Sequence, residues 1–163
     1  MNEILQNFVE SLREELKQYG ELLALLDLQQ DQVVRRMADE LMATVAAINT
    51  QGEAVQVVRR ERAQRQRALA QDLTLPAEAR IAAMLERLPE PYRPLVSALV
   101  EENNHLVARV KQRARQNHIL LSRAVEMMSQ FINSFCAVSA PTYNQSGTVG
   151  QRVPARALYD SLG

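Results

Sequence analysis

Few residues in this chain are of a type that does covalent or metal chemistry. The two histidines, His105 and His118, are thirteen positions apart and fit no spacing that would place metal ligands on one helical face. The single cysteine, Cys136, has no nearby Cys or His, which is typical of a small buried hydrophobe. The segment from Gly147 to Gly150 is too short to indicate a phosphate-binding loop. We therefore expect no enzyme activity, no bound metal and no cofactor.

An apolar stretch near the carboxyl end indicates binding instead of catalysis. Thirteen of the twenty residues from 119 to 138 are apolar, although Arg123 and Glu126 interrupt them, so the stretch does not suit a membrane-spanning helix. At helical spacing these residues cover more of the circumference than one neighbouring helix needs. Either the rest of a bundle covers them, or they receive an amphipathic helix of another protein, with Met127 and Met128 as adaptable contacts.

Composition indicates which elements must position this stretch. Hydrophobic residues make up 47% of the 163 residues but aromatic residues only 4%, so aliphatic ridges must supply the core. Nineteen basic residues balance nineteen acidic ones, which gives none of the positive field of a nucleic-acid coat. The acidic amino terminus lacks the features of a secretory signal and predicts a cytoplasmic protein. The single cysteine excludes an internal disulfide.

Apolar periodicity predicts an all-α fold, an elongated antiparallel bundle or coiled coil of three long helices and one short connector. The first helix is predicted over residues 3 to 37. The second is predicted to begin with Asp39 as a possible N-cap and to end near Asp72, interrupted only by Gly52.

Prolines delimit the short connector helix. Pro76 suits its first turn, and Pro89 should stop it after Leu88. The segment from Pro89 to Pro94 cannot be helical throughout, because each proline lacks an N–H and disfavours helix in the residue before it.

The last helix has the most regular pattern. Its apolar seam follows a four-three rhythm from Leu99 to Val138, and Asn103 and Asn117 lie in that seam. A buried Asn can fix the register between helices. The alternative is that the seam is solvated at both positions and that neither residue has a role in packing. We predict a helical domain over residues 1 to 140 and a flexible tail over 141 to 163.

Arginines are concentrated in two places, residues 59 to 67 and 109 to 115. They could form a docking surface for acidic protein or RNA. We favour pairing with the acidic residues of the first helix instead, because no aromatic residues interleave with the arginines as a base-stacking surface would require.

Two short motifs carry a resemblance to a known family. The run from Asn117 to Leu121 resembles the Asn and Leu pair of FlgN-type flagellar export chaperones. The tail sequence Pro141, Thr142, Tyr143, with Gly147 four residues later, is similar to the tail element of that family. The order of features along nearly the whole chain also resembles this family.

The resemblance implies a cytoplasmic, ATP-independent chaperone of type III flagellar export. Such a protein would bind the carboxyl-terminal helices of the hook-filament junction proteins FlgK and FlgL, prevent their early assembly and present them to the export gate protein FlhA. It implies that Tyr143 docks on the gate. It also implies that the substrate-binding surface comprises Leu120, Leu121, Ala124, Met127, Met128, Phe131, Ile132 and Phe135.

Two other functions remain open. In a structural coiled-coil subunit or self-assembling adaptor, the same wide apolar face would be the dimer interface. An RNA-binding bundle would use the arginines from 59 to 67. The family resemblance favours the chaperone, expected as a monomer or weak homo-oligomer that contacts neither nucleic acid nor the membrane interior.

Overall fold

The computed structural model describes the backbone of residues 2–138 and the surroundings of side chains from 3 to 135. Its helices are α1 (Asn2–Arg35), α2 (Ala38–Asp72), α3 (Ile81–Leu85) and α4 (Arg93–Val138), with a 3-10 turn at Glu90–Tyr92. No strand occurs within that part of the chain. The predicted all-α fold of three long helices and one short one is confirmed.

The chain divides into two compact units, Met1–Leu121 and Ser122–Gly163. The first contains α1, α2, α3 and the amino-terminal part of α4. The described part of the second is the carboxyl-terminal segment of α4. The predicted domain boundary at residue 140 and the predicted tail lie outside the described residues.

Two hydrophobic clusters form the core of the first unit. The larger one joins all four helices and includes Phe8 and Leu12 of α1, Leu69 of α2, Met84 of α3 and Val96 of α4. The smaller one joins the three long helices through Tyr19, Leu23, Leu26, Val55, Leu106 and Val110. As the composition predicts, nearly all of these side chains are aliphatic.

Hydrogen bonds between side chains and backbone show how the long helices run. The Nε2 of Gln51 donates to the Gln18 carbonyl at 3.0 Å, and Arg65 donates to the Asn7 carbonyl at 3.0 Å, so α2 is antiparallel to α1. The Nδ2 of Asn103 donates to the Leu12 carbonyl at 3.0 Å. Asn117 repeats this contact at 2.7 Å on Leu26, with the same separation of 91 residues along the chain. α4 is therefore parallel to α1, as an up-down-up arrangement requires.

The first helix ends before the predicted boundary at residue 37, and Asp39 is not the N-cap of the second. Arg36 adopts a left-handed φ of 60°, and the Met37 amide donates back to the Gln32 carbonyl at 3.0 Å. This pattern is a Schellman motif, which closes α1 and leaves Met37 as the N-cap of α2, without a side-chain cap. Asp39 lies in the first turn of α2, where its charge complements the helix dipole. The predicted end of the second helix at Asp72 is confirmed.

The connector helix is shorter than predicted. The Ala79 amide donates to the Pro76 carbonyl at 2.9 Å, and Gln66 donates from its side chain to the Ala79 carbonyl at 3.1 Å. These bonds stabilise a turn over 76–79. Arg80 is then extended, with ψ 147°, so the connector helix begins only at Ile81. The prediction that the segment from Pro89 to Pro94 is not helical throughout is confirmed by its 3-10 turn.

Candidate protein-binding face

The carboxyl-terminal segment of α4 exposes a continuous apolar surface, here called the α4 face. Six large side chains on it, Val125, Met127, Met128, Phe131, Ile132 and Phe135, are each between 54% and 66% exposed. Ala124, also exposed, lies among them. Each large side chain exposes about 100 Å², so the face has an exposed apolar area on the order of 600 Å². This is the upper end of the contiguous apolar area that a monomer usually exposes to solvent. A face of this size indicates a protein-interaction surface.

Helix geometry gathers these residues on one side of the segment. At about 100° per residue, they occupy an unbroken arc of about 160° from Met127 to Val125. The rings of Phe131 and Phe135 lie one turn apart and touch edge to face, with centroids 4.7 Å apart and planes at 65°. This aromatic pair forms a ridge along the arc, since each ring restricts the motion of the other.

The flanks of the α4 face carry amides and hydroxyls but little charge. Between Met127 and Phe135 the helix has no charged residue; Ser129, Gln130, Asn133 and Ser134 fill the remaining circumference. The Ser134 hydroxyl donates to the Phe131 carbonyl at 2.7 Å, so it is satisfied within the helix. Recognition at this face must rest on apolar burial, because no ion pairs are available along that part of the helix to steer a partner.

The structure separates the predicted site residues into two groups. Ala124, Met127, Met128, Phe131, Ile132 and Phe135 are exposed on the α4 face, whereas Leu120 and Leu121 are half-buried in the first unit. Tyr143 lies outside the described residues. The explanation in which a bundle covers the apolar stretch is wrong for residues 123 to 135, since every residue there is exposed.

Val125 belongs to the α4 face but was not among the predicted site residues. It is 65% exposed and forms one edge of the arc. Its spacing, four residues after Leu121 and seven before Ile132, places it on the same side of the helix and could have identified it from sequence.

Arginines from the two basic stretches, 59 to 67 and 109 to 115, form ion pairs with α1 inside the first unit. Arg62 of α2 lies 2.7 Å from the buried carboxylate of Glu15, measured from Nε to Oε2. Arg113 of α4 pairs with Asp27 of α1 at 2.6 Å. For these residues the predicted pairing with the acidic first helix is confirmed.

No described helix is both long enough and apolar enough to span a membrane. No curated protein and no solved structure matches the chain significantly. The family model for the FlgN protein does match, and it covers residues 1–151 of the 163. The chain therefore belongs to the FlgN family of flagellar export chaperones.

Proposed function

We propose that this protein is a cytoplasmic, ATP-independent chaperone that binds the carboxyl-terminal helical segments of the hook-filament junction proteins FlgK and FlgL. It keeps these segments from assembling early and delivers them to the export gate protein FlhA, with Tyr143 as the gate contact. The single observation that supports the client-binding step is the exposed 160° apolar arc of the α4 face.

The mechanism is association by mass action, with no catalysis. A client helix lays its apolar stripe on the α4 face, and water leaves both surfaces. Phe131 and Phe135 supply the aromatic ridge on which such a stripe packs, while Met127 and Met128 adapt to side chains of different shape. About 600 Å² from each partner gives an interface at the small end of specific complexes, so the client can be released to the gate without an energy source.

The central test is Phe131→Asp. A carboxylate in the middle of the apolar contact would be desolvated without a partner, so affinity for full-length FlgK or FlgL should fall about a hundredfold. Calorimetric titration measures this change. Because Phe131 is 60% exposed, circular dichroism should show the helix content of the unchanged chain.

Tyr143→Ala serves as the matched control. It removes an aromatic residue from the same chain at a position assigned to the gate, so client affinity should stay unchanged while FlhA binding falls. Equal client affinity in Phe131→Asp and the unchanged protein would contradict the assignment of the α4 face.

A further inference from the structure

A long part of α4 carries positive charge that the rest of the first unit does not balance. Between Glu102 and Glu126 the helix has no acidic residue and five basic ones, Arg109, Lys111, Arg113, Arg115 and Arg123. Within the described part of the chain, only Arg113 of these five forms an ion pair, with Asp27 of α1. The pairing with the acidic first helix therefore leaves most of these cations available to another molecule.

One of them, Arg109, lines a cleft between α1 and α4. The cleft has a volume of about 190 Å³ and is lined by Leu23 of α1 and by Arg109, Gln112, Arg113 and Gln116 of α4. The four α4 residues follow the i, i+3, i+4, i+7 spacing of one helix face, so their polar groups lie on the same side of the helix. Arg109, Gln112 and Gln116 are exposed, so a partner can reach them.

The two arginines of the cleft differ in what holds them. The Nε of Arg113 lies 2.6 Å from the Asp27 carboxylate, and its Nη1 donates to the side-chain oxygens of Gln30 and, at 3.3 Å, of Gln116. These contacts fix Arg113, neutralise its charge and leave the Nε2 of Gln116 available as a donor. Arg109 makes no ion pair within the described residues. The cleft therefore holds one uncompensated positive charge beside two amide groups.

We propose that this cleft binds the carboxylate side chain of an acidic residue on a protein partner. The guanidinium of Arg109 can donate two parallel N–H···O bonds to a carboxylate, and the amides of Gln112 and Gln116 can donate to the same oxygens. The site belongs to the first unit and shares no residue with the α4 face.

Charge and size favour a carboxylate side chain over other anions. One uncompensated cation balances one carboxylate, whereas a phosphate group on a protein carries about −1.5 to −2 at neutral pH. The cleft is smaller than the roughly 300–1,000 Å³ of small-molecule sites, so it suits one side chain better than a cofactor. Its lining includes no aromatic residue on which a nucleobase could stack.

Nuclear magnetic resonance titration of the full chain tests the proposal directly. The probes are a capped alanine peptide with one central glutamate and the same peptide with glutamine in its place. At low ionic strength the side-chain amide signals of Gln112 and Gln116 should shift with the glutamate peptide, with a dissociation constant in the millimolar range. The glutamine peptide should leave them unchanged.

Three variants separate the cleft from general attraction to a basic helix. Arg109→Gln should weaken binding of the glutamate peptide about fivefold. Arg115→Gln, the matched control, removes the same charge from an exposed position about 120° around α4 and outside the cleft, so binding should stay unchanged. Asp27→Asn frees the charge of Arg113 and should tighten binding about fivefold. Circular dichroism verifies that each variant keeps its helix content.

Equal shifts with both peptides, or equal weakening by Arg109→Gln and Arg115→Gln, would overturn the proposal. It is also overturned if a short single-stranded RNA shifts the same amide signals at lower concentration than the glutamate peptide, because the ligand would then be a nucleic acid. None of these measurements uses FlgK, FlgL or the α4 face, so their outcome is independent of the proposed function.

Discussion

Asn103 and Asn117 show how two side chains set the alignment of two helices. Each is buried, and each donates its amide to an α1 carbonyl with the same separation of 91 residues. Asn117 also donates to the side-chain oxygen of Gln29 at 2.8 Å. A slip of α4 along α1 would break both contacts together, at about 1 kcal/mol each, although Asn103 would keep its second bond, to the Leu99 carbonyl at 2.9 Å. Both asparagines are buried, so the alternative of a solvated seam is wrong for them, and their role in fixing register stays a prediction.

Glu15 is a buried carboxylate whose charged form is stabilised by two arginines of α2. Burial raises the pKa of Glu15 above its ordinary value of 4.5, while the positive charges of Arg62 and Arg59 oppose that rise. A carboxyl with a raised pKa holds its proton more firmly in the folded chain than in the unfolded chain. Its contribution to stability is therefore fully present below pH 4.5 and is lost as pH rises through the raised pKa.

Replacement of Arg62 by Met should increase the stability that the protein loses as pH rises through the pKa of Glu15. Without Arg62 the Glu15 carboxylate is buried with no ion-pair partner, so the free energy of unfolding should fall by about 3 kcal/mol at pH 7. At pH 4 the loss should be clearly smaller, because Glu15 is then protonated in the folded protein. Urea denaturation at both pH values measures the difference.

The double variant Glu15→Gln with Arg62→Met is the control for this pH effect. It removes the titrating group, so its loss of stability relative to Glu15→Gln alone should be the same at both pH values. A loss in Arg62→Met that does not change with pH would show that Glu15 is not the group involved.

At the scale of elements, α1 and α2 end in the same way, and neither ends on a glycine. Arg36 and Thr74 both have left-handed φ values, 60° and 57°. The Leu75 amide donates to the Ala70 carbonyl at 2.8 Å, which repeats the Schellman pattern at the end of α2. A side chain with a Cβ is strained in this conformation, and a β-branched one such as Thr is especially so.

Thr74→Gly should therefore stabilise the protein by about 1 kcal/mol, because glycine adopts the left-handed conformation without strain. Thermal or urea unfolding measures the gain. Thr50→Gly is the matched control, since Thr50 is an exposed residue inside α2 and should lose about 0.5 kcal/mol on the same substitution. A loss at both positions would mean that the turn after α2 does not carry the expected strain.

These helix ends also show which parts of the fold could be predicted from the amino-acid sequence. The number, order and approximate length of the long helices follow from apolar periodicity, because a 3.6-residue repeat survives over many turns. The end of α1 could not be read, since the usual glycine or asparagine signal is absent and Arg36 takes its place. The connector was predicted too long because its turn depends on a bond from Gln66, which lies thirteen residues earlier in the chain.

The α4 face could be located from sequence but not shown to be open. Residues 119 to 138 carry an apolar excess whether they are buried in a bundle or exposed, because both states favour the same side chains. Only the surroundings distinguish them: Leu121 is half-buried, and from Arg123 onward every side chain with described surroundings is exposed. The apolar stretch was therefore predictable, whereas its accessibility required the three-dimensional structure.

At the scale of the whole molecule, zero formal charge and an exposed apolar face both favour self-association. The sequence has a pI of about 6.8, so at neutral pH the chains have little net repulsion to keep them apart. Two α4 faces in contact would bury about 1,200 Å² in total, the lower limit of stable interfaces. The free chaperone should therefore self-associate weakly, and a client should displace the second copy by binding the same surface.

Sedimentation over a range of concentrations tests this last prediction. The average mass of the free protein should rise with concentration, with half-association at tens of micromolar or above, because an interface of this size is typical of transient contacts. Phe131→Asp should remain monomeric over the whole range, since a pair of faces would then bring two unpaired carboxylates into apolar contact. Addition of FlgK should replace self-association with a complex that holds one copy of the chaperone. A dimer that persists at nanomolar concentration, or one that Phe131→Asp leaves intact, would place the self-association interface elsewhere and remove the competition between client and second copy.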